Sequence, residues 1–356
     1  MINREPDQGA CRFLAARYNA VMRRRTLLVL AVFALPLILF GAYAAYWLIV
    51  ASQVRDGVSA WAQAQQARKV DIAWQKIGVG GFPLAYRVEF DNAALRDGRV
   101  SPAPEVRIPT LFAAARPWDF VDWQLAAPEG LSAALAGAGG RPPLKVAAKT
   151  ATGFVTVDEK DGATVWLRLR DIDVEAGERV PISSADAWIS LPPKSSVGIA
   201  LDLRQMQFPG MGPVLGDTID ELAFGVTIKG AFPGGKLAEA ASAWRDSGGT
   251  IELDNLQLKL PGLSASGTGT IALDRDLQPI GGFSGAIEGY DQILTGLVQS
   301  GRMRAADAGL ARLALAMLAK AGPDGRPEIK TAFTIQNGQM FLGPAKLGQA
   351  PRIAWQ

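Results

Sequence analysis

Residues 163–176, ATVWLRLRDIDVEA, decide how this chain is read. Val165, Leu167 and Leu169 alternate with polar or charged neighbours, the period-two signature of a strand with one wet face. The phase then slips by one, to Ile172 and Val174, which predicts a bulge or a strand end near Asp171. Outward from here the same alternation recurs. Leu84, Tyr86, Val88 and Phe90 oppose Arg87, Glu89 and Asp91, and further runs are LKVAAKTATGFVTVD, SVGIALDLRQMQF, ELAFGVTIKG, TIELDNLQLKL, ASGTGTIALD, EIKTAFTIQNG and QMFLGPAKLG. Turn formers separate them, at Asp161-Gly162, Gly234-Gly235, Pro261-Gly262 and Asn337-Gly338, the last joining two runs as a hairpin does. The expectation is a dozen or more antiparallel strands, on the order expected for this spacing.

Two segments depart from that rhythm. Lys236 to Asp246 reads as a short helix ended by Gly248-Gly249, and Tyr290 to Lys320 as a longer helical insertion interrupted around Gly301 or Gly309. Leu310, Leu313, Met317 and Leu318 make an apolar stripe on it, expected to pack against the sheet. Pro102-Ala103-Pro104, Gly137 to Pro143 and Pro192-Pro193 read as loops.

The N-terminal end is of another kind. Thr26 to Val50 is an uncharged apolar stretch, about 37 Å long as a helix against a hydrocarbon core of about 30 Å. Arg23, Arg24 and Arg25 precede it and a balanced Arg55/Asp56 pair follows. The positive-inside rule therefore expects a cytoplasmic N-terminus and an exported, periplasmic main domain, with a single pass through the inner membrane. Ala42-Tyr43-Ala44 has the form of a signal-peptidase site, leaving cleavage after Ala44 as the alternative, and Met22 would make a natural start for this topology. Val54, Val58 and Trp61 stand at helical spacing, so the helix is expected to continue as a stalk.

The organisation that results is a tail (1–25), an anchor (26–50), a helical stalk (51–69), and a β-domain with an N-terminal half (70–200) and a C-terminal half (201–356) bearing the helical insertions. Its fold class is mainly β with minor α. The exported part is read as an elongated, curved antiparallel sheet, or a sandwich or groove, with a helical insertion near 290–320.

Composition removes several chemistries. The chain has 356 residues, no histidine and one cysteine, Cys11, so imidazole chemistry, a thiol nucleophile in the main domain and an intrachain disulfide are excluded. Its net charge of +3 is concentrated before residue 51, leaving the β-domain near neutral and without a footprint for nucleic acid.

Candidate sites are few. Asp171, Asp173 and Glu175 at spacing two suggest calcium, but a calcium site takes about six to eight oxygens, and a solvated strand end explains them more simply. Asp217, Asp220 and Glu221 offer carboxylates for acid–base work but read as a turn before a strand near Leu222. Asp158, Glu159 and Asp161 read as a hairpin tip. Gly78-Val79-Gly80-Gly81 and Gly267-Thr268-Gly269-Thr270 are not phosphate loops, because a strand rather than a helix follows the second and strand glycines serve close packing. Lys194-Ser195-Ser196 lies in a loop. No enzyme activity, cofactor or metal is expected.

Four motifs carry a resemblance. Ile77-Gly78-Val79-Gly80-Gly81-Phe82-Pro83-Leu84, then Trp244 with Gly248-Gly249-Thr250-Ile251-Glu252-Leu253, then Gly267 to Asp274, then Asn337 to Pro344, resemble the DUF2125 family of alphaproteobacterial envelope proteins over about Trp61 to Pro351. The C-terminal pattern of a Gly-Gly turn, an alternating strand and a Gly-x-Gly-x strand is similar to AsmA-type envelope proteins. That likeness implies a groove concerned with phospholipid traffic or outer-membrane homeostasis. The functional expectation is a membrane-tethered domain that binds or shields a lipid or other apolar envelope component. The alternatives are a scaffold engaging envelope proteins, and a histidine-free hydrolase.

Overall fold

A computed structural model describes residues 8–99, 102–137, 142–158, 162–192, 196–208, 216–230, 237–322, 327–343, 345–353 and 355, with the side chains of 8–32, 237 and 345 left aside. The chain begins with α1 (Gln8–Gln66), one uninterrupted helix through both the anchor and the stalk. Its described part from Phe33 contains an 18-residue window of mean hydropathy 2.0 and is long and apolar enough to cross a membrane.

The strands then follow as β1 (Val70–Ala73), β2 (Lys76–Gly80), β3 (Tyr86–Asp97), β4 (Glu105–Arg116), β5 (Asp119–Ala127) and β6 (Leu131–Leu135). Next come β7 (Leu144–Asp158), β8 (Gly162–Glu175), β9 (Arg179–Leu191), β10 (Ser196–Gln207) and β11 (Thr218–Lys229). After α2 (Leu237–Asp246) run β12 (Thr250–Leu260), β13 (Leu263–Leu273) and β14 (Pro279–Glu288). The helices α3 (Tyr290–Gln299) and α4 (Ala305–Leu318) precede β15 (Lys320–Ala321), β16 (Pro327–Gln336), β17 (Gln339–Leu342) and β18 (Ala345–Gln349).

All described pairings are antiparallel and join strands that are consecutive in the chain or separated by one strand. From β7 each strand pairs with the next through β14, and β14 then pairs with β16 across the helical insertion. At the other end β5 and β6 both stand between β4 and β7. Among the described residues no strand of the last hairpins pairs with β1, β2 or β3, so the meander is open rather than a closed barrel.

Local chemistry explains the corners. Asn337 and Gly338 both take positive φ, 52° and 68°, as a two-residue hairpin turn requires, and bring Gln336 opposite Gln339. Asp171 takes φ 49°, and beyond it Ile172 and Val174 pack in the same cluster as Leu169. The phase slip in the sequence is thus neither a bulge nor a strand end: the register is the same on both sides of it, Arg170 opposite Thr150 and Ile172 opposite Ala148, and a left-handed residue kinks β8 so that apolar side chains return to one face. Gln205 does the same on β10, with φ 50° between Leu203 and Met206.

Three further expectations need correction. The β3 strand begins at Tyr86, and Leu84 lies in the preceding loop, 69% exposed, rather than sharing a strand face with Tyr86 and Val88. The long insertion breaks near Gly301, one of the two expected places, but stops at Leu318 rather than Lys320, because Lys320 pairs with Glu328 as a strand. The stripe of Leu310, Leu313, Met317 and Leu318 does not pack on the sheet: these residues are 69%, 67%, 88% and 65% exposed. The inward side of α4 is set instead by buried Ala308 and by Arg312, which donates to Asp291 and Thr295 of α3. Leu310 lies two residues from each, at about 200° around a helix, and is turned away.

The helix and the sheet are locked together at one place. Trp47 stacks on Tyr86 at 5.0 Å and 10°, and its Nε1 donates to the Ala85 carbonyl at 3.3 Å. Tyr43 donates its hydroxyl to the Pro83 carbonyl, and Ala51 closes the cluster. Trp47 and Tyr86 are 4% and 0% exposed. Trp47→Ala is expected to cost the detergent-solubilised full chain about 3–5 kcal/mol. Tyr86→Phe is expected to be neutral or slightly stabilising, because the buried Tyr86 hydroxyl has no partner to lose. Chemical denaturation of both variants checks this, and equal losses would show that ring stacking is not what holds the joint.

Candidate functional site

A strand's side chains alternate between faces, so the register decides which residues share a surface. In one row across the sheet stand Ala127, Ala151, Leu169, Ala185, Leu203, Leu222, Leu258, Ala265, Ile287 and Ile329, each opposite the next. The adjacent row on that face is Leu125, Gly153, Leu167, Ala187, Leu201, Phe224, Leu256, Gly267 and Gly285. Neither row contains an ionisable group. The alanines of β5, β7 and β9 in the first row are buried, whereas every leucine, isoleucine and phenylalanine of both rows is only half-buried. A second layer packed over them would bury such side chains almost completely.

One tight cluster does form beside the left-handed residues Asp171 and Gln205: Ala148, Ile172, Ile182, Ala185 and Met206, at 3–8% exposure. Its members and the residues packed on it come only from strands β6 to β11 and the segment just after β10.

Toward the C-terminal end the apolar face is paved with glycine. A Cβ on Gly269 would stand 2.2 Å from the Phe283 ring, and one on Gly267 3.2 Å from the Ser284 carbonyl oxygen. The Gly-x-Gly strand therefore lets the Phe283 ring lie flat over the backbone beside Phe333, 5.9 Å away. Trp244 and Gly249 show the same logic. The indole lies where a Gly249 Cβ would be, 2.3 Å away, and donates to the Lys229 carbonyl at 2.7 Å.

The opposite face carries paired charges and, across β7 to β9, a row of aromatic rings, Phe154, Trp166 and Trp188. Arg168 makes a two-pronged bond to Asp186, at 2.6 and 3.1 Å, while lying over the Trp166 ring at 5.0 Å. Arg204 bonds Asp202 at 2.8 Å and approaches Glu221 at 3.6 Å, and Lys259 bonds Glu221 at 2.8 Å. The Lys259 bond, with the Arg204 charge adding to it, holds the Glu221 carboxyl below its ordinary value of 4.5.

The carboxylates singled out in the sequence are dispersed by these pairings. Asp173 takes both prongs of Arg179 at 2.8 Å, Glu175 takes Lys145 at 3.3 Å, and Asp171 stands 3.8 Å from Lys149. Each has its own cation, and the three do not converge. Asp217 lies just before β11 with its carbonyl accepting from the Phe208 amide, Asp220 is exposed, and Glu221 is a salt-bridged strand residue. That strand starts at Thr218, four residues before the expected Leu222. A general acid needs a raised pKa, and Glu221 is shifted the other way. Glu159, Asp161, Lys194, Ser195, Gly234, Gly235 and Lys236 lie outside the described residues, as do the side chains of Arg23, Arg24, Arg25 and Thr26. Val50 is half-buried beside Trp47.

Two features escaped the sequence reading. Trp47 and Tyr86 were assignable only to an interfacial belt and a strand face, since their stacking joins elements 39 positions apart. The loop residues Phe82 and Trp118 gave no periodic signal. Trp47 shares a helical face with Phe40 and Tyr43, and that aromatic stripe is the trace a reader could have followed.

A family model described as "Uncharacterized protein conserved in bacteria (DUF2125)" matches residues 47–351, most of the chain, and the matched region opens on Trp47. The comparisons do not show the AsmA-like resemblance. Neither the curated proteins nor the solved structures gave a match.

The Glu221 shift makes a pH prediction. Because its native carboxyl is depressed, its contribution to stability is present above the ordinary carboxylate range and is lost as pH falls through the native value. Lys259→Met removes the largest cause, so the variant should lose less stability than the wild type between about pH 5 and pH 3. Parallel acid limbs in urea-denaturation series would contradict the assignment.

Proposed function

This chain belongs to the DUF2125 family, and we propose that its β-domain is a trough that binds or shields an acyl chain or a similarly apolar envelope component on the periplasmic side of the inner membrane. The carrying observation is the pair of charge-free rows running strand to strand across the sheet, whose large side chains are half-buried, while the opposite face mixes paired charges with the aromatic row Phe154, Trp166 and Trp188. At about 4.8 Å per strand, the ten-strand row extends of the order of 45 Å, ample for an acyl chain laid across the strands. Recognition by such a surface is by exclusion of water, so it would select an apolar ligand by length and shape, not by headgroup. The compartment rests on Arg23, Arg24 and Arg25 at the start of the apolar helix.

A second reading has its own observation. Leu310, Leu313 and Met317 project from α4 with 67–88% exposure, the form of an amphipathic helix awaiting a protein groove. In that case the family member is a scaffold for envelope proteins.

Photo-crosslinking separates the two. A benzoylphenylalanine at Leu201 or Leu256 should yield lipid adducts in membranes, and one at Gln257 on the other face should not. Leu201→Asp together with Leu256→Asp should abolish lipid that co-purifies on gentle extraction. No lipid adduct at either inner position, with protein adducts from Leu313, would replace the trough by the scaffold.

A further inference from the structure

We infer that the end of the β-domain carrying the β2–β3 and β4–β5 loops is seated in the bilayer that α1 crosses, with Phe82, Leu84 and Trp118 in the boundary between headgroups and acyl chains. This inference rests on α1 as a membrane span and not on the trough reading.

The argument is one of height. Counting from Thr26, next to the three arginines, a hydrocarbon core of about 30 Å takes about 20 residues of helix and ends near Tyr46. A tilt of about 20° adds only about one residue. Yet the β2–β3 loop meets the helix below that level. Phe82 packs edge-on against Phe40 at 5.7 Å and Trp47 at 5.6 Å, and against Tyr43 at 6.1 Å. Phe40 lies six residues short of Tyr46, so the loop reaches about 9 Å under the boundary, within the depth of about 5–10 Å at which interfacial apolar groups lie. Sliding the helix outward until the loop cleared the lipid would draw Arg23, Arg24 and Arg25 into the hydrocarbon by the same distance.

The surface brought there is suited to it. Leu84 is 69% exposed and Trp118, at the tip of the β4–β5 hairpin, is 70% exposed, with Val121 at 42%. The two loops are neighbours, since Leu84 lines one small cavity with Arg116 and Asp119, and Tyr86 meets Phe120 at 5.4 Å. Arg116 is exposed beside them and fits the phosphate layer. An aromatic and aliphatic rim around Arg116 and Asp119, facing water, would be an unexplained apolar patch, whereas at the interface its apolar groups and Arg116 have partners.

The test uses the full chain in nanodiscs of phosphatidylethanolamine and phosphatidylglycerol. In a Cys11→Ser background, Leu84→Cys, Trp118→Cys and the outer-face control Gln257→Cys are labelled singly with the environment-sensitive dye NBD. The exposed positions leave packing undisturbed, which unfolding curves matching those of the unlabelled chain verify. Expected are blue-shifted emission at 84 and 118 and loss of that emission with brominated lipid, with neither at 257. Quenching by aqueous iodide at 84 and 118 as strong as at 257 overturns the inference. So does a blue shift that brominated lipid leaves unquenched, which means that protein covers the rim.

Discussion

Everything in this molecule depends on the stacking of Trp47 on Tyr86. An amphipathic sheet can be held near a membrane by a flexible tether, free to tumble, or by a rigid strut that fixes its attitude. Here α1 runs unbroken from the apolar span to Gln66, and the indole, the phenol and the Ala85 carbonyl join it to the sheet within the span's own last turns. The joint fixes the attitude of the sheet relative to the helix. The matched family region opens on Trp47 and so includes this joint with the strands.

The second constraint is register. Neighbour-to-neighbour pairing means that each turn fixes the next strand's phase, and a one-residue slip anywhere would bring charges onto the apolar face. The left-handed kinks at Asp171 and Gln205 leave the register unchanged and switch the phase of the side chains along the strand. They also gather the buried cluster around Ile172 and Met206, while the large side chains of the two rows stay half-buried. Stability in such a meander comes from cross-strand pairs and local apolar contacts rather than from a single enclosed core.

Much of this was legible in the sequence because it is local. Alternation, the slip at Asp171, the Asn337-Gly338 hairpin and the break at Gly301 are all set by residues within a turn of one another. What was not legible is what covers what. The α4 stripe of Leu310, Leu313 and Met317 shows in sequence that a helix has an apolar face, but not that Ala308 and Arg312 would take the inward side. Leu84 continued the alternation of β3 on paper, yet the turn at Phe82-Pro83 puts it in a loop. The joint of Trp47 with Tyr86 is a tertiary contact, and no window along the chain contains it. Asp171, Asp173 and Glu175 were legible as a solvated stretch, but not as the middle of a continuous strand, and Asp220 and Glu221 stand in β11 rather than in a turn before it; the pairing of Asp173 and Glu221 with separate cations is again a matter of partners beyond the local window.

An open apolar face is the claim from which a ligand-binding role follows, and side-chain accessibility measures it directly. Carbene footprinting of the delipidated full-length protein labels whatever C–H surface a small apolar reagent can reach. The account predicts strong modification of Leu169, Leu203, Leu222 and Leu258 along one row, with Tyr86 and Val88 protected as internal standards of burial. Protection of that row to the level of Val88 would show the face to be closed over, and the sheet to be an ordinary core.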